Sequence, residues 1–276
     1  MKLTTQQTNF METFGYLYFP GLLKDCLDDI IEAFDQVWEG HGGGHNGKPH
    51  DGKSRSCLVP FAGQSAYLSS LLDDPRVDGI MSSLLGEDYI YLGSDGNYYV
   101  GDSGWHSDGW PHPIVYYKMA FYLDPLTRET GALRVIPGSH HDDDCYSKDL
   151  QAAIRKSEER WGFKGNELPA AVIETEPGDV VVFSEGIKHS SFGGGARRRM
   201  FCFSFTPRHT DEEIPLMRKG IANFARFWTD SVYGPEMVRT ASPERMVHLE
   251  QALANQDHLP ELTQEHRGSH EEPSRG

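Results

Sequence analysis

His106 and Asp108 stand two positions apart in Trp105-His106-Ser107-Asp108, with His189 and then Arg198 far downstream. In an extended strand the side chains at i and i+2 share a face, so this pair can present an imidazole nitrogen and a carboxylate oxygen to one ion. His189 would complete a facial triad. Two histidines and one carboxylate cap one face of an octahedral ion and leave three positions open, the arrangement of non-heme Fe(II) oxygenases.

His-x-Asp alone is a weak signal, and the chain repeats it in His140-His141-Asp142-Asp143 and His209-Thr210-Asp211. Thr210-x-x-Glu213 has the form of a capping box, which places Asp211 in a helix start. The run of aspartates after His141 has the form of a solvated acidic turn. His106-Ser107-Asp108 instead joins two β runs and is flanked by Trp105 and Trp110, aromatics able to wall a pocket. Alternation in the last strand puts Arg198, Met200, Cys202 and Ser204 on one face and Arg199, Phe201, Phe203 and Phe205 on the other. The Phe face needs apolar cover, which leaves Arg198 pointing inward, where a bound carboxylate would satisfy it bidentately. Arg199 is the alternative, because a shift of one residue exchanges the faces.

The elements that must position these residues are mostly strands. Strand-like runs fall at 89–92, 96–100, 114–123, 132–136, 180–183 and 200–205, and they carry every candidate ligand. A first helix, capped by Thr5 or Thr8 and stopped by Gly15, precedes a strand at 16–19. A second helix runs over 24–38, with Leu27, Ile30, Ile31, Phe34 and Val37 at helical spacing. Residues 39–53 are rich in Gly, His and Lys and are a candidate lid, made locally basic by Lys48, Lys53 and Arg55. A short helix is expected over 75–85, an insertion at 140–170, and helices at 210–227 and 243–253. The expectation is one domain over 1–255 and a flexible tail over 256–276, which lacks apolar periodicity.

With 276 residues and a net charge of −15, the chain repels polyanions, which argues against nucleic acid or an anionic membrane surface as partner. Cys26, Cys57, Cys145 and Cys202 form no Cys-x-x-Cys pair, so reduced thiols are expected. No apolar leader or membrane-length stretch is visible, and the expected location is cytoplasmic, as a monomer or homodimer acting on a small molecule.

The chain resembles the phytanoyl-CoA dioxygenase superfamily of Fe(II)/2-oxoglutarate oxygenases, which includes ectoine hydroxylase. The resemblance is carried by Phe14-Gly15-Tyr16-Leu17-x-Phe19-Pro20-Gly21-Leu22-Leu23, Trp105-His106-Ser107-Asp108, Gly131-Ala132-Leu133-Arg134-Val135-Ile136-Pro137-Gly138-Ser139-His140, Pro177-Gly178-Asp179-Val180, and His189-x-Ser191 followed by Arg198-Arg199. It implies an all-β core with flanking helices, a double-stranded β-helix or jelly roll of the cupin type. It implies iron held by His106, Asp108 and His189, with Arg198 pairing with the distal carboxylate of 2-oxoglutarate and Ser191 and Asn97 touching this cosubstrate. The chemistry implied consumes O2 and releases succinate and CO2. Related halogenases carry a small residue in place of the carboxylate, so Asp108 favours hydroxylation. Trp110, His112 and Tyr116 are candidate substrate-pocket residues, and a small polar metabolite or natural-product intermediate is the expected substrate. A metal-dependent hydrolase using the same triad and a cupin-like binding protein without turnover are the rival functions.

Overall fold

The computed structural model describes residues 1–109 and 113–276. Its strands are β1 (Tyr16–Phe19), β2 (Ser56–Leu58), β3 (Ile90–Tyr99), β4 (Ser103–His106), β5 (Tyr117–Tyr122), β6 (Leu133–Val135), β7 (Ala171–Ile173), β8 (Val180–Ser184), β9 (His189–Ser191) and β10 (Arg198–Thr206). Its helices are α1 (Thr5–Phe14), α2 (Leu27–Gly40), α3 (Ala66–Ser70), α4 (Pro75–Leu85), α5 (Cys145–Ala153), α6 (Ser157–Trp161), α7 (Ile214–Ala222), α8 (Pro235–Arg239), α9 (Pro243–Leu253) and α10 (Leu259–Ser269). Contacts divide the chain into one unit of Met1–Leu3, Cys26–Tyr98 and Phe201–Gly276, and another of Thr4–Asp25 and Tyr99–Met200.

The second unit holds two antiparallel sheets, one ordered β1-β8-β5 and the other β4-β9-β6-β7. β8 lies between two strands and is buried throughout, which explains the unbroken apolar run Val180-Val181-Val182-Phe183. Asp179, in the Pro177-Gly178-Asp179 turn, clamps the start of the chain to this strand. It accepts the Gly21 N–H at 2.6 Å, the Tyr18 hydroxyl at 2.5 Å and the Glu176 N–H at 2.8 Å. α1 starts at a capping box formed by Thr4 and Gln7, one residue before the expected Thr5, and ends at Gly15 with φ 80°. At Gly15 a side chain is excluded twice over, since a Cβ would sit 2.5 Å from His140 Nδ1.

In the first unit β3 pairs with β2, Ser56 opposite Tyr98 and Leu58 opposite Gly96, and β10 runs along its other edge. Phe201, Phe203 and Phe205 are fully buried here. Phe201 packs on Phe34 of α2 and on Phe61, and Phe203 and Phe205 pack on Tyr91. The alternation read from the last strand therefore holds, and each of these rings buries about 1.5–3 kcal/mol of apolar surface. Two antiparallel sheets with helices about them are the jelly-roll core expected from the sequence.

Two expectations change. Residues 259–269, read as a flexible tail, form α10: Leu259 and Thr263 are buried, and the Thr263 hydroxyl donates to Thr229 O at 2.6 Å. The apolar positions are too few to show a period, but the few present all face the protein. The suspected lid at 39–53 is pinned by His45, which is buried and bonded through Nδ1 to Cys57 O at 3.1 Å and through Nε2 to Pro273 O at 3.0 Å. No helix among the described residues is long and apolar enough to cross a membrane.

Candidate metal centre

β4 and β9 are antiparallel partners with His106 directly opposite His189, so one pairing of strands brings the two imidazoles together. Their ring centroids lie 4.2 Å apart. His106 Nδ1 bonds to Gly104 O at 2.6 Å and His189 Nδ1 to Ile187 O at 3.0 Å. A backbone carbonyl only accepts, so each Nδ1 carries the proton and each Nε2 keeps its lone pair. The Asp108 carboxylate completes the group, with Oδ1 3.6 Å from His106 Nε2 and Oδ2 3.7 Å from His189 Nε2. One donor atom from each residue falls within 4.8 Å of the others. Two imidazoles presenting Nε2 and a carboxylate aimed at one point fit a divalent first-row metal, and these three residues are the ones that would hold it.

The backbone around Asp108 is fixed by Glu185, whose carbonyl accepts both Asp108 N–H at 2.9 Å and Gly109 N–H at 3.2 Å. Ser107 Oγ donates to Gly186 O at 3.1 Å. Burial on its own would raise the Asp108 pKa, but the Lys118 ammonium, and then His189 and His106, overcome it and hold the carboxyl well below the usual carboxylate range. Lys118 Nζ donates to Asp108 Oδ2 at 2.6 Å. Burial pushes the His189 imidazole down to about 4, against the pull of Asp108, so it is neutral and ready to ligate at neutral pH.

Arg198, at the first position of β10, is buried. Its Nη1 donates to Gly131 O at 2.8 Å and Ser191 Oγ at 3.0 Å, and Nη2 donates to Gly101 O at 2.6 Å. Among the described residues Nε has no partner, and the guanidinium's bonds go to carbonyls and a hydroxyl. Burial lowers its pKa while Tyr99, Tyr122 and Asp102 act in the other direction. A buried guanidinium with a donor to spare has the chemistry to take a carboxylate. Arg199 is different in kind: its N–H, Nε and Nη2 all go to the Asp124 carboxylate, at 2.6, 3.0 and 2.9 Å.

Ser191 is thus brought to Arg198, and it shares a face of β9 with His189, two residues away. Asn97 is buried in the first unit, where its Oδ1 accepts from Arg55 Nε at 2.9 Å and Nη2 at 2.7 Å and its Nδ2 donates to Asp95 at 2.6 Å. Trp105 is core rather than pocket wall: it packs with Ile136 and Ile154 and donates from Nε1 to Gly165 O at 2.7 Å. Tyr116 lines a cavity of about 440 Å³ with Gly109, Tyr117, Asp142 and Glu185. Trp110 and His112 lie outside the described residues. Lys118 was not singled out in the sequence; the alternation of β5, which puts Lys118, Ala120 and Tyr122 on one face, is the signal that could have found it.

A jelly roll holding a two-histidine, one-carboxylate face with a buried arginine nearby defines the class of non-heme iron oxygenases. Residues 45–200, more than half of the chain, match the phytanoyl-CoA dioxygenase (PhyH) family, and the chain belongs to that family. It is accordingly an Fe(II)- and 2-oxoglutarate-dependent dioxygenase. No curated protein sequence matches it. Among solved structures it is similar to the non-heme alpha-ketoglutarate-dependent carbocyclase SnoK from nogalamycin biosynthesis, at 19% identity and TM-score 0.59 over 78% of this chain and 90% of that one. It is also similar to HygX from Streptomyces hygroscopicus with nickel and 2-oxoglutarate bound, at 18% identity and TM-score 0.55 over 75% and 88%. EctD from S. alaskensis with 2-oxoglutarate and 5-hydroxyectoine gives 19% identity and TM-score 0.54 over 74% and 76%. At such identities the likeness is one of fold.

Proposed function

We propose that the chain hydroxylates an unactivated C–H bond of a small polar metabolite or natural-product intermediate, with iron held by His106, Asp108 and His189. The observation that carries this is the layout of β9: His189 faces the metal point, and Ser191, two residues along the same face, accepts from Arg198. Two residues of strand span about 6.6 Å. That suits a short dicarboxylate with one end at the metal and the other on the guanidinium. When bound, Fe(II) and 2-oxoglutarate supply the activation of O2, with succinate and CO2 as co-products.

The protein's own groups bind and orient. Arg198 and Ser191 take the far carboxylate and fix the direction in which the keto acid enters. Gly104 O and Ile187 O keep both histidines in the tautomer that ligates. Asp108 keeps a carboxylate in the place where a small residue would admit a halide, which favours oxygen transfer. The cavity beside Gly109 and Tyr116 is of small-molecule size. Its acidic members Glu12, Asp142, Asp143 and Glu185 favour a neutral or cationic substrate over a polyanionic CoA ester. A hydrolase would have no use for a buried arginine equipped for a carboxylate.

The test is a substrate screen on iron-loaded protein, reading succinate release and a product heavier by one oxygen atom. Product formation that needs both O2 and 2-oxoglutarate supports the assignment. Metal-dependent hydrolysis without O2 would sink it.

A further inference from the structure

We propose, resting on the iron site proposed above, that Lys118 is a positioning residue that limits Asp108 to one oxygen donor. A carboxylate can give a metal one oxygen or two. With two histidines and one oxygen, three of six positions stay open: two for a chelating keto acid and a third for the remaining reactant. With both oxygens the third is lost. A donor on the second oxygen favours the first arrangement, and the Lys118 ammonium, 2.6 Å from Asp108 Oδ2, is placed to be that donor. Oδ1 lies 3.6 Å from His106 Nε2 and Oδ2 3.7 Å from His189 Nε2, and of the two only Oδ2 carries the ammonium.

An ordinary solvent-exposed ion pair would carry no such meaning. This pair differs in placement. Only 18% of the Lys118 side chain is accessible, and Lys118 faces the same side of β5 as Ala120 and Tyr122. Tyr122 belongs to the surroundings of Arg198. One face of β5 therefore carries Lys118 at the metal end and Tyr122 at the arginine end. The small Ala120 lies between them. A lysine turned to that face is costly unless its charge is matched, and Asp108 matches it. The hydrogen-bond partners of metal ligands are usually acceptors that raise ligand basicity, and their loss weakens metal binding. A cation has the opposite sign: it weakens the hold on the metal a little and spares a position.

Lys118→Met and Lys118→Arg, compared with the unaltered protein, test this by three readouts other than turnover. These are calorimetric titration of the apo form with Co(II), the visible absorption of the Co(II) form, and 2-oxoglutarate affinity from the charge-transfer band of the anaerobic Fe(II) form. Lys118→Met is expected to hold Co(II) at least as tightly, to change the Co(II) spectrum, and to bind 2-oxoglutarate about tenfold more weakly. Lys118→Arg, which keeps the charge and the donors, is expected to restore all three. A Met variant with an unchanged spectrum and 2-oxoglutarate affinity within twofold of the unaltered protein overturns the role. So does equal weakening of metal and cosubstrate in both variants, the mark of a merely structural lysine. Should the Met variant not fold, Lys118→Arg decides alone, since loss of 2-oxoglutarate affinity with the charge retained is equally fatal. A missing charge-transfer band in the unaltered protein would instead remove the iron function itself.

Discussion

At residues 106–108 a histidine and an aspartate converge with His189, whereas the His140-His141-Asp142-Asp143 stretch, with the same spacing of types, makes no such group among the described residues. The difference lies in which ring nitrogen the backbone consumes. His106 and His189 spend Nδ1 on carbonyls two residues upstream, and their Nε2 atoms stay free to converge. His140 spends Nε2 on Glu12 O at 3.2 Å, and its Nδ1 is buried against Gly15 without a partner among the described residues. Its ring packs on His141, 4.0 Å between centroids. The residue types decide what chemistry is available; the local hydrogen bonds decide whether a lone pair is left to perform it.

The sharpest way to break this comparison is to remove a ligand from each region. Asp108→Gly or His106→Ala is expected to lower succinate formation about a hundredfold or more, with metal binding weakened in a direct titration. His140→Gln should leave both within about twofold, and a comparable loss there would show that the two stretches had been wrongly distinguished. The neighbouring arginines extend the contrast. Arg198→Ala removes charge-assisted bonds worth about 3 kcal/mol together, so the 2-oxoglutarate requirement should rise about a hundredfold while iron binding survives. Arg199→Ala breaks a pair with Asp124 that is part of the scaffold, and its effect should appear in the melting temperature as a loss of about 1–2 kcal/mol, with little change in KM for 2-oxoglutarate. The reverse outcome would exchange their assignments.

The smallest effect concerns pH. Burial holds His140 down to about 4 in the folded protein, below its ordinary 6.5. Between those values the unfolded chain binds the extra proton, so stability from this residue is intact above 6.5 and falls as the pH drops towards 4. In melts across that window, the unaltered protein should lose more stability on acidification than His140→Gln does. Parallel pH slopes would show that the ring is not buried neutral.

How much of this was legible in the chain differs by region. The buried Phe face of β10 follows from alternation along a strand, a rule that needs no tertiary knowledge, whereas Asp108 lies in the bend beyond the end of β4 and His189 meets His106 through the β4–β9 pairing, which spacing along the chain does not show. Lys118 did not emerge because ten residues separate it from Asp108, and a single lysine in an apolar run has no spacing to betray its partner. Asn97 comes to the cosubstrate through the family resemblance alone, and the bonds of its amide to Arg55 and Asp95 are visible only once the chain is folded. α10 escaped because a helix that docks by two or three residues leaves no period to count.

The guanidinium of Arg198 lies against two glycines. A methyl group on Gly131 would come within 2.4 Å of Nη1, and one on Gly194 within 2.7 Å of Cζ and 2.2 Å of Gly101 O. Gly131 moreover adopts φ +100°, where a side chain is strained in any case. The arginine is therefore held in a mould whose walls are main chain, and main chain has no alternative rotamer with which to yield. The position of this guanidinium is thus set in part by residues that bear no functional group, and a survey of polar side chains alone would pass over them.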